Sequence, residues 1–176
     1  MNEEFVLIEP TEEFLPEIAR YRADFLASGD SMDGTGSLRR FEDPTEWLEH
    51  CRIKNNPATV PEGRVASTQL IYVGKSDGRI VGMLQIRHTL NGYLREVGGH
   101  IGYSVRPSDR KKGVASAMLR GALPLCKRLG IDRVLVTCYD DNEASRKVIL
   151  KNGGICDGTA TDPENGKTVE RYWIEI

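Results

Sequence analysis

The stretch Arg110-Lys111-Lys112-Gly113-Val114-Ala115-Ser116 brings together three cations, a glycine and small residues where an apolar run gives way to a helical repeat. Amides at the start of a helix have no intrahelical acceptor, and the helix dipole adds positive potential at the same place. A glycine lets a ligand approach the backbone closely, and flanking cations add formal charge. That combination is an anion cradle suited to a pyrophosphate. It is not a P-loop, because no G-x-x-x-x-G-K-[ST] occurs. A Rossmann fingerprint is also missing, since Gly98, Gly99 and Gly102 fall inside a strand-like run rather than at its exit. Further on, Asn142-Glu143-Ala144-Ser145 opens a second helix, and Asn142 is suited to cap it.

The elements that must position these residues are readable from periodicity and punctuation. Phe5–Glu9 reads as a strand. A helix follows a Thr11 cap, with Phe14, Leu15, Ile18, Phe25 and Leu26 at helical spacing and a stop near Gly29. Ser28–Gly36 is polar and glycine-rich, which predicts a mobile loop. Asp43-Pro44 starts a helix carrying Trp47, Leu48 and Cys51, with Trp47 and Tyr21 expected in packing roles. Thr68–Val73 and Arg79–Arg87 flank a hairpin signal at Gly74–Gly78. Val97–Val105 is a glycine-weakened third strand candidate. The helix after Gly113 places Ala115, Met118, Leu119, Ala122, Cys126 and Leu129 on one stripe, is interrupted by Pro124 and ends at Gly130. Arg133–Cys138 reads as a buried central strand, followed by a helix to about Lys151 and a hairpin of Ile155–Thr161 and Thr168–Ile176. The order βααβββαβαββ predicts an α/β (α+β) fold, a mixed central sheet with helices on both faces.

These motifs resemble the GNAT superfamily of acetyl-CoA-dependent N-acetyltransferases. The family signature [QR]-x-x-G-x-[GA] after a bulged strand is matched by Arg110-Lys111-Lys112-Gly113-Val114-Ala115, and Asn-x-x-[AS] after a later strand by Asn142-Glu143-Ala144-Ser145. The resemblance implies that the fourth and fifth strands splay and that acetyl-CoA, as co-substrate, fills the gap. It assigns the pantetheine and acetyl carbonyl to the backbone of Tyr103 and Val105, with the Val105 amide facing the oxyanion. It assigns the pyrophosphate to the turn Arg110–Lys112 and the amides through Ser116, and the far side of the cofactor to Asn142 and Ser145. Many members carry a tyrosine seven residues after the Asn, which protonates the leaving thiolate; here that position is Ile149. The chain is similar in this to the branch with Asn-x-x-Ser and no tyrosine, which includes ribosomal-protein-type acetyltransferases. The acid is then Tyr139, Ser145, a water, or absent. His100 and Glu96 are the candidate general bases, each with an ordinary surface role as the alternative. No cysteine stands as an evident covalent relay, so direct transfer in a ternary complex is expected.

The implied acceptor is a primary amine of a small molecule or peptide, bound under Ser28–Arg40 and Asn91–Glu96. A second reading is a non-catalytic acyl-CoA-binding sensor or scaffold, motivated by Ile149; a third is an unrelated nucleotide-binding α/β domain. Length bounds the chain: 176 residues predict one domain over residues 1–176. Lys+Arg 24 against Asp+Glu 26 gives a net charge of −2, which argues against a nucleic-acid partner. No apolar run approaches the roughly 18 residues of a membrane span, and Met1-Asn2-Glu3-Glu4 has no signal-like character, so a cytoplasmic location is expected. Cys51, Cys126, Cys138 and Cys156 read as reduced thiols, and the three histidines show no metal-ligand spacing with them. The Thr168–Ile176 strand is read as an edge through which a homodimer could pair.

Overall fold

A computed structural model describes residues 4–176; the reading of the chain start, Met1-Asn2-Glu3-Glu4, lies outside the described residues except for Glu4. Seven strands form one sheet in the order β1-β2-β3-β4-β5-β7-β6. They are β1 (Phe5–Ile8), β2 (Ser67–Gly74), β3 (Ile80–Arg87), β4 (Ile101–Val105), β5 (Arg133–Tyr139), β6 (Ile155–Thr161) and β7 (Thr168–Glu175). Four α-helices, α1 (Leu15–Ser28), α2 (Pro44–Asn55), α3 (Val114–Arg128) and α4 (Glu143–Lys151), complete the predicted order of elements.

The alternation of the central strands divides the core in two. Ile71, Val73, Ile80 and Met83 pack with Tyr21, Phe25, Trp47 and Leu48 of α1 and α2. Leu70, Val81, Leu84 and Ile86 pack with Met118, Leu119, Ala122 and Cys126 of α3. Helices thus cover both faces, and Tyr21 and Trp47 are fully buried packing residues, as expected. Each also closes a polar contact: Tyr21 Oη donates to Ser104 O (3.1 Å) and Trp47 Nε1 donates to Thr35 O (2.7 Å). Asp43 caps α2 by accepting from the Thr45 amide at 2.8 Å.

Strands β1 to β4 are antiparallel, whereas β4 and β5 are parallel and meet only at Ile101↔Val136. Beyond that contact they part, which is the splay that the family resemblance implied.

Three expectations are corrected. Val97–His100 is not strand: Leu94–Gly98 forms a π-helical turn in which the Gly99 amide reaches back five residues to Leu94 O at 2.6 Å. The end of the Ser28–Gly36 loop is packed, while Ser28–Asp33 stay largely exposed. Gly34, Thr35 and Gly36 are buried, and a Cβ on Gly34 (φ +67°) would lie 2.2 Å from Gly102 O. Glycine is there for close approach to β4. Finally, β7 is interior, paired with β5 on one side and β6 on the other, so the free edge at this end is β6.

Candidate active site

The splay opens onto a cavity of about 570 Å³. One wall is the backbone of β4. Arg106 N–H donates to Val81 O of β3 at 2.8 Å, and the antiparallel ladder therefore turns Gly102, Ser104 and Arg106 toward β3. The main-chain groups of Tyr103 and Val105 point the other way, into the gap that β5 has left. Both residues line the cavity.

A second wall is the turn between β4 and α3. Lys111 (φ +61°) and Gly113 (φ +81°) both sit in the left-handed region, and Gly113 opens α3 as its N-cap. The first intrahelical-type bond runs from Ala117 N–H to Gly113 O. The amides of Gly113, Val114, Ala115 and Ser116 therefore donate to no acceptor among the described residues. A Cβ on Gly113 would meet nothing within 4 Å, so open space lies beside these donors. Arg110 lines the cavity but is tied down: Nη1 bonds Asp30 Oδ2 at 2.7 Å and Nε donates to Val105 O at 3.3 Å. Lys111 faces the cavity, whereas Lys112 does not line it and reaches Asp109 Oδ1 at 3.3 Å.

The opposite wall comes from β5 and α4. Asn142 Oδ1 accepts from the Ser145 amide at 3.1 Å, so its cap role is real while its residue still lines the cavity. Ser145 Oγ lies 2.6 Å from Tyr103 Oη, joining α4 to β4 across the gap. Burial pushes the Tyr103 hydroxyl up to about 12, so it is neutral and able to donate at physiological pH. Ile149 is fully buried in the α3-side core and does not line the cavity.

The candidate acid–base residues separate. His100 is 7% exposed and absent from the cavity wall; its Nδ1 accepts from the Leu135 amide at 2.9 Å. Its Nδ1 lone pair is taken up by β5, so the structure places His100 off the cavity wall as an acceptor for the Leu135 amide. Burial, with Arg87 and Arg95 nearby, pulls its pKa down to about 4. A depressed folded value means His100 stabilises the fold fully above its unfolded value near 6.5, and the contribution is lost as pH falls toward 4. We expect the urea midpoint to decline from pH 6.5 to 4 and His100→Gln to flatten that decline; an unaltered slope would contradict this role. Glu96 is exposed and also off the cavity wall. Tyr139 does line it, but its hydroxyl donates to Asp162 Oδ2 at 2.7 Å and is thereby committed away from the gap.

Sequence reasoning missed Asp33, Gly34, Arg87 and Tyr93, which share the remaining wall. Asp33 and Tyr93 fall in the two segments expected to hold the acceptor. The signal for Arg87 was a cation ending a mostly apolar strand. No cluster of three metal-ligating side chains occurs among the described residues, where Cys51, Cys126 and Cys138 are buried free thiols and Cys156 is exposed.

Comparison with known proteins agrees with this geometry. The family described as acetyltransferase (GNAT) domain matches residues 5–155. A curated relative, the L-amino acid N-acetyltransferase AaaT of Escherichia coli (strain K12), is 32% identical over 104 residues. The match takes in 56% of this chain and 62% of that protein's length. Ribosomal-protein-S5-alanine acetyltransferase from Vibrio fischeri superposes with a TM-score of 0.75 at 17% identity, covering 99% of this chain and 94% of that one. A ribosomal L7/L12 α-N-protein acetyltransferase solved with coenzyme A gives 0.70 at 21% identity, covering 98% and 94%.

Proposed function

The chain belongs to the GNAT acetyltransferase family, and from that premise we propose that it moves an acetyl group from acetyl-CoA to a primary amine of a small molecule or peptide. The observation that carries the reading is the set of unpartnered amides from Gly113 to Ser116, opening on the same cavity as the backbone of Tyr103 and Val105. Those residues fit the co-substrate: amides and Lys111 for the diphosphate, strand backbone for the pantetheine, Asn142 and Ser145 for its far side. When bound, acetyl-CoA supplies an activated thioester.

The protein's part is then orientation and proton management. The Val105 N–H is the donor for the developing oxyanion. A lysine-like amine has a reference pKa near 10.4 and must lose a proton before attack. With His100 occupied by Leu135, that proton leaves by water, and Asp33 is a cavity carboxylate outside any ion pair among the described residues. Ser145, hydrogen-bonded to the neutral Tyr103, passes a proton to the departing thiolate and is reprotonated through Tyr103 from solvent. Transfer is direct, so no acetyl-enzyme should accumulate in rapid-quench experiments.

We further assign this activity to one domain spanning residues 1–176 in a cytoplasmic protein, with β6 as the free edge through which a homodimer pairs. Among the described residues no helix is long and apolar enough to cross a membrane. The test is calorimetry with acetyl-CoA followed by thiol release over a panel of amines and peptides. Binding with acceptor-dependent release is expected. Binding without release on any acceptor would favour a sensor, and no binding would overturn the reading.

A further inference from the structure

We propose that the acceptor is a free amino acid, or an amine of the same zwitterionic form, with its carboxylate bound by Arg87 and its ammonium held by Asp33. This rests on the transferase reading above and names its substrate class.

Arg87 ends β3 and lines the cavity. Its Nη1 donates to Gly98 O at 2.8 Å and to Gly99 O at 3.2 Å, which fixes the guanidinium without neutralising it. Nε and Nη2 reach no acceptor among the described residues, and no carboxylate there forms an ion pair with Arg87. A Cβ added to Gly102 would lie 3.4 Å from Nη2, so that nitrogen sits against β4 at the cavity wall.

The contrast with the other arginines near the site is informative. Arg106 pairs with Glu17 and Asp24, Arg79 with Asp109, and Arg110 with Asp30. Burial opposes the charge on Arg87, and attraction from Asp33 offsets part of that cost. A guanidinium held in a cavity by carbonyls alone keeps its remaining fork free for a ligand. That fork matches a carboxylate bidentately.

Position separates this cation from the diphosphate site. Arg87 pairs with His100 just before β4, because Arg87 N–H donates to His100 O at 2.7 Å. The amide cradle follows the end of the same strand. The guanidinium itself reaches Gly102, so three residues of strand, Tyr103–Val105, lie between, roughly 10 Å at about 3.3 Å each. A co-substrate anchored at the cradle and extended along the splay brings its acyl end toward Arg87, Asp33 and Tyr93. A peptide N-terminus has no carboxylate beside its amine and leaves the fork empty.

The test compares the twenty L-amino acids with their carboxamides and with short peptides, measured as acetyl-CoA-dependent thiol release. We expect the best amino acid to exceed its carboxamide by about tenfold or more in kcat/KM, the scale of a charge-assisted hydrogen bond. Arg87→Gln should erase that preference by raising KM for the acid, with the Kd for acetyl-CoA within about twofold of wild type. Arg87→Lys should retain part of it, and serves if the Gln variant does not fold. Equal use of acid and carboxamide by the wild-type enzyme, or peptides outperforming every amino acid, would overturn the proposal. If no acceptor releases thiol, the transferase reading itself fails. Calorimetry of acids and carboxamides on CoA-loaded protein then decides the Arg87 inference: tighter binding of the acid supports it, and equal or no binding overturns it.

Discussion

Gly113→Val is expected to weaken acetyl-CoA binding by at least roughly tenfold while leaving the protein folded. Gly113 holds φ +81° at the head of α3, a conformation that costs an ordinary L-residue about 1–2 kcal/mol and a β-branched one more. A valine there relaxes toward negative φ and swings the following amides out of the cradle. About 1.4 kcal/mol spent on restoring them is tenfold in affinity. Nothing lies within 4 Å of a Cβ at this position, so the loss falls on the ligand and not on core packing. Gly113→Asn, which tolerates the left-handed region, should recover most of the affinity. Calorimetry on the three proteins checks this, and a valine variant binding as tightly as wild type would contradict it.

Arg106→Met is expected to give the largest loss of stability, about 3 kcal/mol, which for a chain of this size lowers Tm by roughly 6–12 °C. Arg106 is 5% exposed and stands one residue beyond β4. Its Nη1 donates to Glu17 at 3.0 Å and to Ile80 O at 2.9 Å, and its Nε to Asp24 at 2.5 Å. Removing the cation leaves the mostly buried Glu17 with only the exposed Arg20 as counter-charge, and it loosens the junction from which the phosphate turn departs. Burial pushes the Glu17 pKa up, but hydrogen bonds from Arg20, the Ile80 amide and Arg106 outweigh it, and the net direction is down. A depressed carboxylate contributes stability above its unfolded value near 4.5 and loses it as pH falls through the lower folded value. The variant should therefore also lose part of the acid-side decline in stability. Adding Glu17→Gln should recover part of the deficit. A loss under about 1 kcal/mol in denaturant titrations would show that the pair is not a structural tie.

The fold was legible because its signals are local. Caps at Asp43 and Asn142, the stop at Gly29 and the apolar run Arg133–Cys138 each specify an element without knowledge of its neighbours. The turn around Gly113 was legible for the same reason: a strand end, cations and a glycine at a helix start are adjacent in the chain. What escaped depends on contacts between distant segments. Glycines at 34 and 36 read as a loose loop, because composition cannot separate freedom from close approach; the answer lay in Gly102 for Gly34 and in Gln69 for Gly36, both on other elements. The positive φ of Gly99 and the π-helical turn before it displaced the start of β4, and with it the direction of His100. Strand order is not chain order, so the insertion of β7 between β5 and β6 moved the edge. Arg87 gave little warning, since a half-buried cation is defined by what surrounds it in space.

The central claim is that the amides from Gly113 to Ser116 receive a diphosphate. It is tested most directly by following those four backbone N–H resonances in ¹⁵N-labelled protein during titration with coenzyme A and, separately, with pantetheine, which lacks the diphosphate. The account predicts large shifts of these four signals with coenzyme A and little change with pantetheine. Signals that stay in place at saturating coenzyme A, or that move equally with both compounds, would contradict it.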